Sequence, residues 1–151
     1  MPLIRPFRKS DLKSVMHISD ISLNENYDPQ LYQSISDSWN GVFLVAVENG
    51  MVIGFINGLF EGGDFSRILM LAVHPEHRNM GIGGHLLESF ISMLSSLGVR
   101  KVILEVRPSN LKARRFYINR NFRPDGTVKE FYMDGEDCIR MVLSLPQGEC
   151  R

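Results

Sequence analysis

Cysteine is scarce in this sequence of 151 residues. Only Cys138 and Cys150 occur, twelve residues apart, with no CxxC pair and no histidines at ligand spacing. That excludes a disulfide framework and a zinc site, and it suits a reducing compartment. Long apolar runs are also missing: the longest, at 41–47 and 51–60, fall well short of the roughly 20 residues that span a bilayer. Residues 1–13, broken by Pro2, Arg5, Pro6, Arg8 and Lys9, hold no apolar segment of the signal-peptide kind. There is no excess of charge of either sign, since 17 Lys and Arg balance 17 Asp and Glu. No global field would draw such a chain onto nucleic acid or an anionic membrane, so an anion must be held locally. Internal repeats, low-complexity tracts and Pro/Ser-rich linkers are absent too, and one domain over 1–151, in the cytoplasm, is the expectation.

What is present is ordinary globular material, 44% hydrophobic with 13 Gly and 7 Pro. A chain of this length buries about 68–70% of the surface its unfolded form exposes. A first strand is expected at 3–5. Ser10 or Asp11 can cap a helix with Leu12, Val15, Met16 and Ile18 at helical spacing. Asp28 before Pro29 reads as the start of another, with Leu31, Tyr32 and Ile35 on one face. Asn49-Gly50 between 42–48 and 51–60 is a hairpin signal, because a type I′ turn needs two positive φ angles. A strand at 66–73, apolar on both faces, predicts a central position. It leads into a helix over 83–97 with a buried stripe of Leu86, Leu87, Phe90, Ile91, Leu94 and Leu97, and Gly98 suits its C′ position. A strand at 99–106, a short helix at 110–119 and strands near 127–133 and 137–145 complete a mixed α/β pattern. In it, a hairpin and a meander flank one strand–helix–strand unit.

Two segments carry chemistry. In the first, His74-Pro75-Glu76-His77-Arg78-Asn79-Met80-Gly81-Ile82-Gly83-Gly84 turns from the central strand into the long helix. Amides there would point at one place at the positive end of a helix dipole, which is an anion site. Glycines allow close approach of a phosphate, and Arg78 can add a charge-assisted contact. An ordinary tight turn is the alternative. The order R-x-x-G-x-G is neither a dinucleotide fingerprint nor a P-loop. In the second, residues 100–123 hold eight basic side chains against the single acid Glu105. Such a run is either a solvated face or, beside an anion-binding helix start, a second phosphate contact. His17, His74, His77 and His85 have no recurring metal spacing and read as structural or solvated, so no metal is expected.

Together these segments resemble the GNAT superfamily of acyl-CoA-dependent N-acetyltransferases. Arg78-Asn79-Met80-Gly81-Ile82-Gly83 matches the family's R/Q-x-x-G-x-G/A motif, and Asn110 through Tyr117 to Asn121-Phe122 matches N-x-x-A-x-x-x-Y-x-x-x-G-F. Asn121 replaces the family's glycine, and Asn tolerates the left-handed conformation better than other residues with a side chain. Three further matches resemble one branch, the ribosomal-protein alanine N-acetyltransferases and the catalytic subunits of protein N-terminal acetyltransferases. They are Leu104-Glu105-Val106-Arg107-Pro108-Ser109-Asn110, then Phe131-Tyr132-Met133-Asp134-Gly135-Glu136-Asp137-Cys138 with Met141, and Leu23-Asn24-Glu25-Asn26-Tyr27. The departures are Asn24 for Pro, Phe131 for Tyr and Cys138 for Ala.

The resemblance implies a GNAT-like fold with a mixed, mostly antiparallel sheet, flanking helices and a splayed parallel pair formed by 66–73 and 99–106. Acetyl-CoA would lie along Leu71, Ala72 and Val73, with its pyrophosphate on Arg78, Asn79, Met80, Gly81, Ile82, Gly83 and Gly84. Asn110, Arg114 and Tyr117 would complete that site. The acceptor implied is a protein or peptide N-terminus, a ribosomal protein being one candidate, with Glu25, Tyr27 and Tyr132 lining its groove; an auxiliary subunit is conceivable. Glu105 becomes a water-mediated base, with Glu25 as a second acid able to bind or deprotonate the amine, and Tyr117 the proton donor to the thiolate. Read by themselves, Glu105 suits a salt bridge to Arg107 or Lys101, Tyr117 a core position, and Asp134-Gly135 a hairpin turn. A lysine or small-molecule amine as acceptor, and a non-catalytic acyl-CoA-binding module, are the competing functions. Intact Glu105 and Tyr117 weigh against the module.

Overall fold

The computed structural model describes residues 2–23 and 27–146. Strand β1 (Leu3–Pro6) and a 3-10 turn (Lys9–Asp11) lead into α1 (Leu12–Ser22) and α2 (Pro29–Asp37). Then come β2 (Gly41–Glu48), β3 (Met51–Phe60), β4 (Phe65–Val73), a second 3-10 turn (Pro75–His77) and α3 (Ile82–Ser96). The chain continues through β5 (Lys101–Val106), α4 (Leu111–Ile118), β6 (Arg123–Val128) and β7 (Cys138–Ser144). The strands form one sheet in the order β1-β2-β3-β4-β5-β7-β6. Every neighbouring pair is antiparallel except β4 with β5. One core lies between the sheet and α1–α2, around Val15, Ile18, Tyr32 and Phe55. The other lies under α3 and α4, around Leu86, Phe90, Leu94 and Tyr117. Among the described residues no helix is long and apolar enough to cross a membrane.

Local chemistry accounts for most boundaries. Asn49 and Gly50 take φ of 50° and 77°, as a type I′ hairpin turn requires. Asp28 accepts a hydrogen bond from the Gln30 amide at 2.8 Å and starts α2 with Pro29 in its first turn. Gly98, at φ 85°, ends α3: the Val99 amide reaches back to the Leu94 carbonyl at 3.1 Å and the Gly98 amide to Ser95 at 3.1 Å. This termination corrects the expected stripe. Leu97 falls outside the helix and is 62% exposed, while Val99 is buried in its place.

The expected strand at 127–133 is also displaced. Pairing starts at Arg123 and stops at Val128, and residues 129–137 form a loop. The edge position tolerates Pro124, whose missing N–H would break a central ladder, and one extra residue between Pro124 and Thr127 bulges the strand, Asp125 and Gly126 lying opposite Arg140 alone.

The feature that positions the site lies between β4 and β5. Only Phe65, Ser66 and Arg67 pair with Lys101, Val102 and Ile103; past that point the strands part. On the other edge of β4, Met70 faces Asn57 and Ile68 faces Gly58, so Leu69 is an extra, bulged residue. A bulge bends its strand and switches the faces of the residues that follow. Accordingly Ile68 packs under α3, whereas Met70 and Ala72 pack under α1 and α2.

Asp11 secures the first helix to the sheet. Its carboxylate takes Arg5 Nη1 at 2.7 Å, Arg5 Nη2 at 3.0 Å and the Arg8 amide at 2.8 Å. Burial opposes the charge, but the Arg5 guanidinium and the Arg8 amide outweigh it, and the carboxyl is held below the ordinary aspartate range. A lowered folded-state value gives stability that is present above the unfolded value and lost as pH falls through the folded one. Asp11→Asn is therefore expected to cost about 2 kcal/mol at pH 7 in urea unfolding. The gap between variant and wild type should close as pH drops below about 4; a gap that persists there would show the charge to be irrelevant.

Candidate functional site

Where β4 and β5 part, two cavities meet. The first, of about 400 Å³, is walled by the start of α3 and by α4; the second, of about 340 Å³, lies between Tyr27, Leu31, Glu105, Phe131 and Tyr132. Ser22, Leu23, Leu71, Asn110, Ala113 and Tyr117 line both, so these residues surround the junction.

The first cavity is built for an anion. Gly81 occupies the N-cap of α3 at φ 78°, a left-handed conformation that glycine adopts without strain. The first helical bond runs from the His85 amide to the Gly81 carbonyl at 3.0 Å. The amides of Ile82, Gly83 and Gly84 consequently have no partner within the helix and sit at the positive end of a 15-residue dipole. The residues fit a pyrophosphate: three amides lie open at the helix start, and Gly83 and Gly84 set no side chain over them.

Of the expected cofactor residues, Leu71, Ala72, Val73, Arg78, Asn79, Gly81, Ile82, Gly83, Gly84, Asn110 and Tyr117 line this cavity. Met80 and Arg114 do not. Met80 is 64% exposed. Arg114 lies one residue off the helical stripe that faces the cavity, and its Nη1 donates to the Pro108 carbonyl at 3.0 Å. That stripe runs through Asn110, Ala113, Tyr117 and Arg120 at i, i+3, i+7 and i+10. Ser22, Leu23, His77, Lys112, Ala113, Phe116 and Arg120 also line it and were not expected to, although Arg120 could have been found by extending the stripe one turn beyond Tyr117.

Strand geometry decides which amides of β4 face the gap. The His74 amide bonds the Ile53 carbonyl at 2.7 Å, and Ala72 faces Phe55 in the same register, so both point toward β3. By alternation Leu71 and Val73 direct their amides and carbonyls into the gap left by β5. In agreement, the Val73 carbonyl accepts Arg78 Nε at 3.1 Å.

The second cavity holds Glu105, Tyr27 and Tyr132 together; Glu25 lies outside the described residues. Glu105 pairs with neither Arg107 nor Lys101. Its Oε2 instead accepts Arg67 Nη1 from β4 and, at 3.1 Å, Arg140 Nε from its cross-strand neighbour on β7. Oε1 has no hydrogen-bond partner among the described residues. Tyr117 packs edge-on against Phe116 and Phe122, at 5.1 and 5.2 Å between ring centroids. Burial pushes its phenol well above the ordinary tyrosine value, with Arg120 opposing the shift. Asn121, after α4, takes φ 72°, so the turn survives without glycine.

The Asp134-Gly135 segment is both a turn and a brace. The Gly135 amide bonds the Tyr132 carbonyl at 2.9 Å, and the Tyr132 amide bonds the Glu136 carbonyl at 3.1 Å. Arg107 donates to Asp134 at 2.7 Å and to Glu136 at 2.9 Å, while its guanidinium carbon lies 4.0 Å from the centre of the Tyr132 ring. Glu136 also takes the amide and the hydroxyl of Ser109, each at 3.1 Å. Arg107 and Ser109 together hold the Glu136 carboxyl below its ordinary range. Tyr132 is thus clamped to the loop between β5 and α4.

Comparison with known proteins agrees with this geometry. The pattern of the Acetyltransferase (GNAT) family matches residues 12–122. An N-alpha-acetyltransferase of Saccharolobus solfataricus is 32% identical over 155 aligned positions, which cover 94% of this chain and 92% of the relative. The crystal structure of Ard1 from Thermoplasma volcanium superposes with a TM-score of 0.91 at 32% identity, covering 96% of this chain and 98% of that one. The ribosomal-protein-S18-alanine N-acetyltransferase from Escherichia coli gives a TM-score of 0.88 at 26% identity, over 99% and 97%.

Removing the brace should loosen the loop without touching the helices. Glu136→Ala is expected to raise amide hydrogen exchange at Tyr132 and Gly135 by about tenfold or more, with α3 unchanged. Equal exchange in both proteins would mean that the turn holds itself.

Proposed function

The chain belongs to the acetyltransferase (GNAT) family, and from that premise we propose that it transfers an acetyl group from acetyl-CoA to the α-amino group of a protein or peptide N-terminus. The observation that carries this reading is the junction. An anion cradle and an aromatic-walled cavity reach it, and Tyr117 borders both. Acetyl-CoA, held by the Ile82, Gly83 and Gly84 amides and by the edge of β4 at Leu71 and Val73, supplies a thioester whose carbonyl carbon accepts the amine and whose thiolate leaves.

The chain's own groups supply the rest. A gap-facing amide of Leu71 or Val73 stabilises charge on the carbonyl oxygen. Glu105 keeps Oε2 on its two arginines and presents Oε1, through a water, to the incoming amine as general base. The buried Tyr117 phenol stays protonated at neutral pH and donates its proton to the departing sulfur. Acidity favours this acceptor class. An α-amino group titrates at about 7.7–8.0 and a lysine at about 10.4, so at pH 7 the neutral fraction of the former is larger by about 300-fold. A single carboxylate with a water therefore has less to do for the first than for the second. Tyr27 and Tyr132 flank the acceptor, and its natural source is a newly made protein in the cytoplasm, a ribosomal protein among the candidates.

Thiol release from acetyl-CoA, measured with free peptide N-termini, N-blocked lysine peptides and small amines, tests the acceptor. Release confined to free N-termini is expected; release with lysine or small amines would replace the acceptor, and binding without release would leave a non-catalytic module. Tyr117→Phe should lower kcat by about 100-fold while acetyl-CoA affinity stays within about twofold. An unchanged kcat removes the phenol from proton transfer. In the wild type, kcat/KM should rise with a midpoint near pH 8, where the amine becomes neutral, reach a plateau by about pH 9 and hold to about pH 10 because burial keeps the phenol protonated. A fall centred below about pH 9 would contradict that role.

A further inference from the structure

The two arginines of the cofactor cleft do different work. Arg78, the arginine of the R-x-x-G-x-G motif, is spoken for by the protein: Nε donates to the Val73 carbonyl at 3.1 Å and Nη2 to Ser22 Oγ at 2.8 Å. Ser22 Oγ in turn donates to the same Val73 carbonyl at 3.4 Å. Arg78 therefore ties the end of α1 to the end of β4, at the point where the strand edge must stay open.

Arg120 has the opposite surroundings. Its guanidinium carbon lies 3.8 Å from the centre of the Phe116 ring, and Nη1 donates to the Phe116 carbonyl at 3.1 Å. These contacts orient the group without neutralising it. No carboxylate reaches it within salt-bridge distance among the described residues. Nor does it point away from other positive charge. A Cβ on Gly84 would stand 2.8 Å from Arg120 Nη2, so the guanidinium rests against the first turn of α3, where the unpaired amides lie. A half-buried cation set on the positive end of a helix repels it, and the arrangement is balanced only by an anion placed between them.

We propose that Arg120 is the cationic ligand of the cofactor pyrophosphate and that Arg78 is a positioning residue that holds β4 to α1. The proposal rests on the reading that this chain binds acetyl-CoA. A methyl group at position 84 would crowd Nη2 and push the guanidinium aside.

Calorimetric binding of CoA and of 3′-dephospho-CoA to the full chain, at several salt concentrations, separates the roles. Arg120→Met is expected to raise Kd for both ligands by about tenfold or more and to flatten the dependence of Kd on salt, with Arg120→Lys recovering most of both. Arg78→Met should keep the wild-type salt dependence while lowering Tm and raising amide exchange at Ser22 and Leu23. The assignment is overturned if Arg120→Met binds CoA like the wild type, or if its loss vanishes with 3′-dephospho-CoA, since the cation would then serve the 3′-phosphate. It is equally overturned if the flattened salt dependence appears in Arg78→Met instead. A wild-type chain that binds neither ligand would instead remove the acetyl-CoA reading itself.

Discussion

Backbone pairing between β4 and β5 ends after Arg67 and Ile103, and the molecule is arranged around the strand edges that this leaves. Buried amides and carbonyls without partners are costly, so such a gap persists only where something fills it or water reaches it. The bulge at Leu69 bends β4 away, and α3, which starts beyond that strand, turns its own unpaired amides toward the same opening. The gap and the helix start then act as one binding surface, able to take a chain of amides along β4 and a phosphate at its end.

Holding two strands apart in the middle of a sheet needs support from outside the ladder. On the acceptor side, Glu105 spans three strands through Arg67 and Arg140, and Arg107 fastens the loop after β6 through Asp134 and Glu136. On the cofactor side, Arg78 and Ser22 fasten α1 to β4. Isolated surface ion pairs are worth little, but groups that each engage two or three partners in partly buried places define geometry even where their net energy is small. Three members of the basic run at 100–123 thus have separate surroundings: Arg107 braces the loop after β6, Arg114 caps a local carbonyl, and Arg120 faces the cavity at the start of α3. Net neutrality and a strongly charged site are compatible because the charges are distributed by fold.

Much of this was legible before folding. Asn49-Gly50, Asp28-Pro29, Gly98 and the stripe of α3 as far as Leu94 act through contacts a few residues long, and each stands where the pattern puts it. The R-x-x-G-x-G turn and the stripe from Asn110 to Tyr117 are also local, which is why most residues that line the cleft were recognisable. The failures share a cause. Leu97 and the strand at 127–133 depended on where packing ends a periodic pattern, and a pattern does not contain its own end.

The sequence by itself determined most of the elements, the glycine turn at the start of α3 and the family to which the chain belongs, because these follow from backbone preferences and side-chain types within a few residues. Only the tertiary structure decided the partners. Glu105 meets Arg67 and Arg140 rather than Arg107, and Arg120 rather than Arg114 reaches the cleft, because the sheet order and the phase of α4 set which charges approach one another. Distances between residues far apart in the chain are fixed by strand pairing and packing, and no local pattern encodes them.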